Sequence, residues 1–127
     1  MKRIMLIDDD SHEAVFWQHI VRRDYADKIA LACYTDVDEA IAALDEFQPD
    51  VVLLDNRVPP HETAQFGLSQ LRDRKFEGDI FVWSFTDKDL LDSFMKHWPE
   101  VETLAKQDYV GIKVRDLIET KLIAVAA

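Results

Sequence analysis

The stretch Ile4-Met5-Leu6-Ile7-Asp8-Asp9-Asp10 sets four apolar residues directly against three acids. The run is too short for a buried helix and reads as a buried strand, so its abrupt end places three carboxylates at the strand's carboxyl edge. Four further runs have the same character: Ile29–Cys33, Val51–Leu54, Ile80–Trp83 and Val101–Ala105. Their starts are 25, 22, 29 and 21 residues apart, which leaves room for one helix between each pair. The fifth run is the weakest pattern, because Glu102 and Thr103 interrupt it.

Amphipathic stretches fill the gaps. Ala14, Trp17, Ile20 and Val21 share one helical face, from which Phe16 falls away. Val37, Ala40, Ile41 and Leu44 share another, opened by Asp36 and Glu39 in capping-box spacing. Leu68 and Leu71, with Phe76, suggest a third helix after Gly67. A fourth carries Leu90, Leu91, Phe94 and Met95 and stops at Pro99, and a fifth carries Val110, Val114, Leu117 and Ile118. A strand followed by a helix, five times over, predicts an α/β fold of parallel strands with crossover helices. With right-handed crossovers this becomes a flavodoxin-like, doubly wound five-stranded sheet in the order 2-1-3-4-5, with five helices. The longest predicted loop runs from Asn56 to Phe66 and contains Pro59-Pro60.

Composition narrows the function. A length of 127 residues predicts a single domain, without a separate effector domain. Lys plus Arg is 15 and Asp plus Glu is 25, a net charge of −10. That balance argues against a nucleic-acid partner, which needs a basic face, and against docking on an anionic membrane. No apolar run approaches the roughly 18 residues of a membrane span, and the amino terminus has no signal-peptide core, so the cytoplasm is the expected location. The single cysteine, Cys33, excludes an internal disulfide and reads as an inert thiol within a strand.

In a doubly wound sheet, ligands bind at the carboxyl ends of the strands, where the strand order reverses. That reversal lies between the first and third strands, which end in Asp8-Asp9-Asp10 and Asp55. The fourth and fifth strands end in Ser84 and Lys106. Converging carboxylates repel: at about 4 Å and an effective dielectric near 20, each pair costs on the order of 4 kcal/mol before relaxation. A hard divalent cation with oxygen ligands fits such a site, and Mg²⁺ would keep some of its waters. With Lys106 as a further cation and Ser84 as a hydroxyl donor, the set suits phosphoryl transfer.

The constellation resembles the receiver domain of two-component response regulators, here a stand-alone one. The resemblance rests on Ile4 to Asp10, Pro49 to Pro59, Phe81-Val82-Trp83-Ser84 and Ala105-Lys106, and covers residues 3 to about 123. It implies not an enzyme but a phosphoacceptor that assists its own phosphotransfer and hydrolysis: Asp55 would take a phosphoryl group from a phosphohistidine on a sensor histidine kinase or histidine phosphotransfer domain. Asp9 and Asp55 would bind Mg²⁺ directly, Asp8 through water, and Arg57 through its main-chain carbonyl. Ser84 would hydrogen-bond the phosphoryl group and Lys106 would pair with it. The added charge would shift the face made by the fourth helix, fifth strand and fifth helix, and so alter binding of a downstream target protein.

The chain departs from the family's pattern at named positions. Phe85 follows the strand-four hydroxyl where a small residue is usual, and predicts either slow exchange with small phosphodonors or a blocked pocket. Gln107 replaces the usual proline after the lysine, which predicts a different loop aiming Lys106. The switch aromatic's position holds Thr103. The loop after Asp55 is long, with Pro60, His61 and Glu62 as an insertion, and Arg57 sets a flexible cation two residues from the acceptor.

Plainer readings compete. Asp10 or Ser11 is expected to cap the first helix. The four histidines, His12, His19, His61 and His97, have no ligand spacing. Asp8-Asp9-Asp10 also superficially resembles the opening of haloacid-dehalogenase-type phosphatases, which would make Asp8 the nucleophile and leave Asp55 unexplained. A receiver-like interaction module that is never phosphorylated is the other rival, motivated by Phe85, Gln107 and Thr103. The closing Ile123 to Ala127 reads as a last helical turn or a frayed tail.

Overall fold

The computed structural model describes residues 1–58 and 63–123. The predicted insertion at Pro60, His61 and Glu62, and the tail from Ala124 to Ala127, lie outside the described residues. Each apolar run becomes a strand: β1 (Lys2–Ile7), β2 (Ile29–Tyr34), β3 (Val51–Asp55), β4 (Asp79–Ser84) and β5 (Val101–Ala105). The strands are parallel and stand in the order β2-β1-β3-β4-β5. Asp55 and Ser84 are themselves the last residues of β3 and β4, so the sheet directly positions both.

The crossovers begin with α1 (Ser11–Asp24), capped by Asp10, whose side chain accepts from the His12 N–H at 2.9 Å. The second is two short helices, α2 (Val37–Ala42) and α3 (Leu44–Phe47), where the periodicity predicts one. They meet at Ala43, whose N–H is shared between the carbonyls of Glu39 and Ala40. The Asp36 cap holds as predicted, accepting from the Glu39 N–H at 3.0 Å. Next come α4 (Gln65–Asp73) and α5 (Lys88–Phe94). The chain ends in two 3₁₀ turns (Lys106–Tyr109 and Gly111–Lys113), α6 (Val114–Leu117) and a π turn (Ile118–Leu122).

Three helical assignments differ from the sequence reading. Phe76 lies past the end of α4, and Gly67 lies inside it. A Cβ on Gly67 would come within 3.2 Å of Leu54 Cδ2, so the glycine lets α4 seat closely on the sheet. Val110 is extended and 59% exposed between the two 3₁₀ turns. Gly111 beside it takes φ +61°, a backbone state that breaks any helix there. On α5, Leu91 and Met95 are buried, while Leu90 and Phe94 are exposed.

Both faces of the sheet are covered, as a parallel sheet requires. Alternate residues feed two cores. Ile4, Leu6, Val51, Leu53, Phe81 and Trp83 pack against α1 and the carboxyl-terminal helix. Met5, Ile7, Val52, Leu54, Ile80 and Val82 pack against α2, α4 and α5. Trp17 of α1 meets Trp83 of β4 edge to face, centroids 5.8 Å apart. Phe16, predicted off the apolar face, is half-buried against the same core. Cys33 is half-buried, and burial pushes its thiol up to about 11, so it is inert at neutral pH. Among the described residues no helix is long and apolar enough to cross a membrane.

Candidate functional site

Topology brings the predicted residues together. β1 and β3 are neighbours, yet the chain leaves them in opposite directions across the sheet, which opens a crevice at their carboxyl ends. Asp8, Asp9 and Asp55 meet there, each offering a carboxylate oxygen within 4.8 Å of the others'. Asp8 and Asp55 are buried and Asp9 is exposed.

Lys106, the first residue past β5, reaches back into this cluster. Its Nζ donates to Asp8 Oδ2 at 2.7 Å and to Asp55 Oδ2 at 3.0 Å. The turn that aims it is the 3₁₀ segment Lys106–Tyr109, in place of a proline-containing loop. Two rings lie beside the ammonium, with centroids 4.9 Å (Trp83) and 5.6 Å (Phe85) from Nζ. The sequence reads Trp83 and Phe85 as core or site wall, without their contact to Lys106. The signal available was Trp83 and Phe85 bracketing Ser84 at the end of β4.

Backbone donors complete the carboxylates' shells. The Asp10 N–H donates to Asp8 Oδ1 at 3.0 Å, and the Arg57 N–H donates to Asp55 Oδ1 at 3.3 Å. Arg57 thus touches the site through its main chain, and its side chain is exposed. Ser84 is buried at the rim but engages elsewhere: its hydroxyl donates to Thr86 Oγ1 at 2.9 Å and accepts from the Thr86 N–H at 3.1 Å. Thr103 is tied to α5, donating to Asp92 Oδ1 and accepting from Lys88 Nζ at 3.1 Å. Phe85 stands at the mouth, 68% exposed.

One ammonium serves more negative charge than it can balance. Burial and the neighbouring Asp8 charge push the Asp55 carboxyl up to about 6, against the pull of Lys106 and the Arg57 N–H. Lys106 also rises: burial lowers it, but its bond to Asp8 and the charges of Asp55 and Asp8 outweigh that. Burial leads the rise of Asp55, with the Asp8 charge adding to it, whereas Lys106 rises because its two carboxylate partners outweigh burial. Each proton is held more tightly, whichever group carries it.

No family model matches the sequence, and no curated protein matches it. Solved structures do match the fold. TrrA from Thermotoga maritima, a response regulator solved in complex with Mg²⁺-BeF, superposes with a TM-score of 0.71 at 14% identity, covering 94% of this chain and 98% of that one. This is the receiver-domain fold. The signal receiver domain of a putative Luxo repressor from Vibrio parahaemolyticus gives 0.70 at 16% identity, over 90% of this chain and 82% of that one. A LuxR-family DNA-binding response regulator from Staphylococcus aureus gives 0.71 at 14% identity, over 98% and 100%. Within the receiver fold, the crevice at the carboxyl ends of β1 and β3 holds all three predicted acids and the Lys106 ammonium, while Ser84 at the end of β4 bonds Thr86.

Proposed function

We propose that the chain is a phosphoacceptor of two-component signalling. In this reading Asp55 takes a phosphoryl group from a phosphohistidine on a sensor histidine kinase or histidine phosphotransfer domain. The observation that carries the reading is the shared ammonium: Lys106 bridges Asp8 and Asp55 at the mouth of the β1–β3 crevice. An Asp55 oxygen would attack phosphorus, the P–N bond would break, and the imidazole would leave with the bonding pair. Asp55 is favoured over Asp8 as the acceptor by access. Its side chain is 11% exposed and that of Asp8 is 0%, while each is held by Lys106 and one backbone N–H. The same contrast disfavours a phosphatase with Asp8 as nucleophile.

The donor set fits magnesium. Among the described residues it is all oxygen, with three carboxylates and no nitrogen or sulfur ligand. Asp9 and Asp55 would hold the ion directly, Asp8 through water, and Arg57 through its main-chain carbonyl. When bound, magnesium supplies positive charge against the oxygens of the transferring group. Lys106 neutralises the opposite side of that group. Ser84 gives up Thr86 to donate to it. The added charge then shifts the face built by α5, β5 and α6, which presents Leu90 and Phe94 to a downstream target protein.

The test is intact-mass measurement after incubation with a phosphohistidine donor and Mg²⁺. The wild type should gain the mass of one phosphoryl group and Asp55→Asn should gain none. An unchanged wild-type mass, with no effect of Mg²⁺ on tryptophan fluorescence, would leave a receiver-like interaction module as the better reading.

A further inference from the structure

The two edges of the sheet are guarded differently. At β5 the edge carries charge: Glu102 pairs with Lys121, and Lys88 Nζ donates to Thr103 at 3.1 Å. Charged side chains of this kind keep a foreign strand off an edge. At β2 there are none. Charged residues are 31% of the chain, yet Ile29 to Thr35 contains no Asp, Glu, Lys or Arg, and no proline or glycine. Among the described residues β2 has a neighbour, β1, on one side only. The Lys28 carbonyl accepts from the Lys2 N–H, and the Tyr34 carbonyl from the Asp8 N–H, so the even-numbered residues of β2 aim their backbone groups at β1. Leu31 and Cys33 therefore turn both N–H and C=O outward.

The strand is complementary to itself. In an antiparallel pair with Ala32 on the twofold axis, Leu31 exchanges both backbone bonds with Cys33 of the second copy, and Cys33 does the same with its Leu31. Large side chains then meet small ones. Tyr34 lies across from Ala30, Leu31 across from Cys33, and Ala32 faces itself where the pleat brings side chains closest. Beside Tyr34 is a hollow of about 340 Å³, lined by Arg3, Tyr34, Ala43, Glu46 and Phe47. Arg3 is the β1 neighbour of Ala30, so the second copy's Tyr34 ring comes to the rim of that hollow. On the other face of the sheet, Gln18 of α1 hydrogen-bonds Cys33, and exposed Val15, about one turn earlier on α1, adds apolar surface along the same edge. Two chains of net charge −10 repel, and this uncharged edge is where they can meet with few like charges opposed.

We propose that two copies of this chain pair through β2, antiparallel about Ala32, so that their sheets join into one. Such an interface presents the same patch from both copies and closes as a dimer. It uses the sheet edge opposite β5 and leaves the α5–β5 face free. The inference stands apart from the phosphoacceptor reading, since none of the pairing residues belongs to that site.

Sedimentation equilibrium of the full chain should return a dimer whose fraction rises with concentration. Leu31→Lys sets a charge on the pairing edge and should weaken association at least about tenfold. Leu90→Ser combined with Phe94→Ser, on the far side of the sheet, should leave it unchanged. Asp55→Asn should dimerise like the wild type, whatever the phosphorylation test returns. Cysteine placement reads the pairing even if Leu31→Lys fails to fold. In a Cys33→Ser background, Ala32→Cys faces its own copy across the axis and should close to a covalent dimer with an added oxidant. Leu31→Cys in the same background is set against residue 33 of the second copy and should stay monomeric on the same treatment. A wild type that is monomeric at every concentration up to about 1 mM leaves the edge to some other strand and overturns the proposal. So does a dimer lost in the Leu90 and Phe94 double variant but kept in Leu31→Lys, or a crosslink at residue 31 that forms as readily as the one at residue 32.

Discussion

Replacing Asp55 by Asn keeps the side chain's shape and an oxygen for Lys106, but removes one of the charges that the ammonium must balance. The buried carboxyl titrates near 6, where an unconstrained aspartate titrates at 3.8. At about 1.4 kcal/mol per pH unit, that gap corresponds to about 3 kcal/mol of folding free energy. The sign follows from linkage. The folded state holds this proton more tightly than the unfolded chain does, so its stabilising effect is fully present below about 3.8. It is lost as the pH rises through about 6, and above that ionised Asp55 is a net cost. Asp55→Asn should therefore be the more stable protein at about pH 8, by up to about 3 kcal/mol, or roughly 10 °C in Tm for a domain of this size. Toward about pH 4 the two should converge as wild-type Asp55 takes up its proton. Thermal melts followed by tryptophan fluorescence in metal-free buffer measure this directly, since Trp17 and Trp83 lie in the core beside the site. Added Mg²⁺ should stabilise the wild type more than the variant and narrow the gap. A wild type that is equally or more stable at the higher pH, or a gap that does not shrink on acidification, would refute the electrostatic account of the site.

Two further perturbations test neighbouring parts of the structure. Lys106→Met leaves Asp8 and Asp55 buried beside each other with no counter-ion, and should lower urea stability by about 3–5 kcal/mol at neutral pH, with partial recovery on acidification. Gly78→Ala would set a Cβ 2.3 Å from the Asp50 carbonyl oxygen, a backbone atom that cannot step aside, and should cost at least about 1–3 kcal/mol in urea midpoint; Gly67→Ala, which meets only the Leu54 side chain at 3.2 Å, should cost less.

What was legible in the sequence follows from what period and topology can fix. Asp8, Asp9, Asp55, Ser84 and Lys106 each stand at or just past the end of an apolar run, and parallel strands bring all such ends to one edge. Their convergence therefore needed no knowledge of side-chain packing. The caps at Asp10 and Asp36 were readable for the same local reasons, and so was the third helix apart from its two ends. Val110 was not. Its spacing to Val114, Leu117 and Ile118 is helical, but the positive φ of Gly111 stops the helix short of it. Leu90 and Phe94 show a different limit, because periodicity reports which residues share a face and says nothing of whether an element covers them. The rings beside Lys106 depend on how far a long side chain folds back, which no spacing encodes.

The same geometry bears on how the proposed modification would be read out. Ser84 now spends its hydroxyl on Thr86, so a phosphoryl group on Asp55 gains that donor only if the Ser84–Thr86 pair opens. Thr86 is followed directly by Asp87, the cap of α5, whose side chain accepts from the N–H groups of Asp89 and Leu90. Lys88 comes next, tied to Thr103 and Asp92. Release of Thr86 from Ser84 would therefore act first on the α5 cap and then on the link from α5 to β5. With Thr103 in the middle of β5, no large side chain there can swing between a buried and an exposed state. In the phosphoacceptor reading the switching element would instead be the set of bonds among Lys88, Asp92 and Thr103, which are closed in this structure. A partner that reads this face would then sense the position of α5, with Leu90 and Phe94 on its exposed side, and not the rotamer of a single residue.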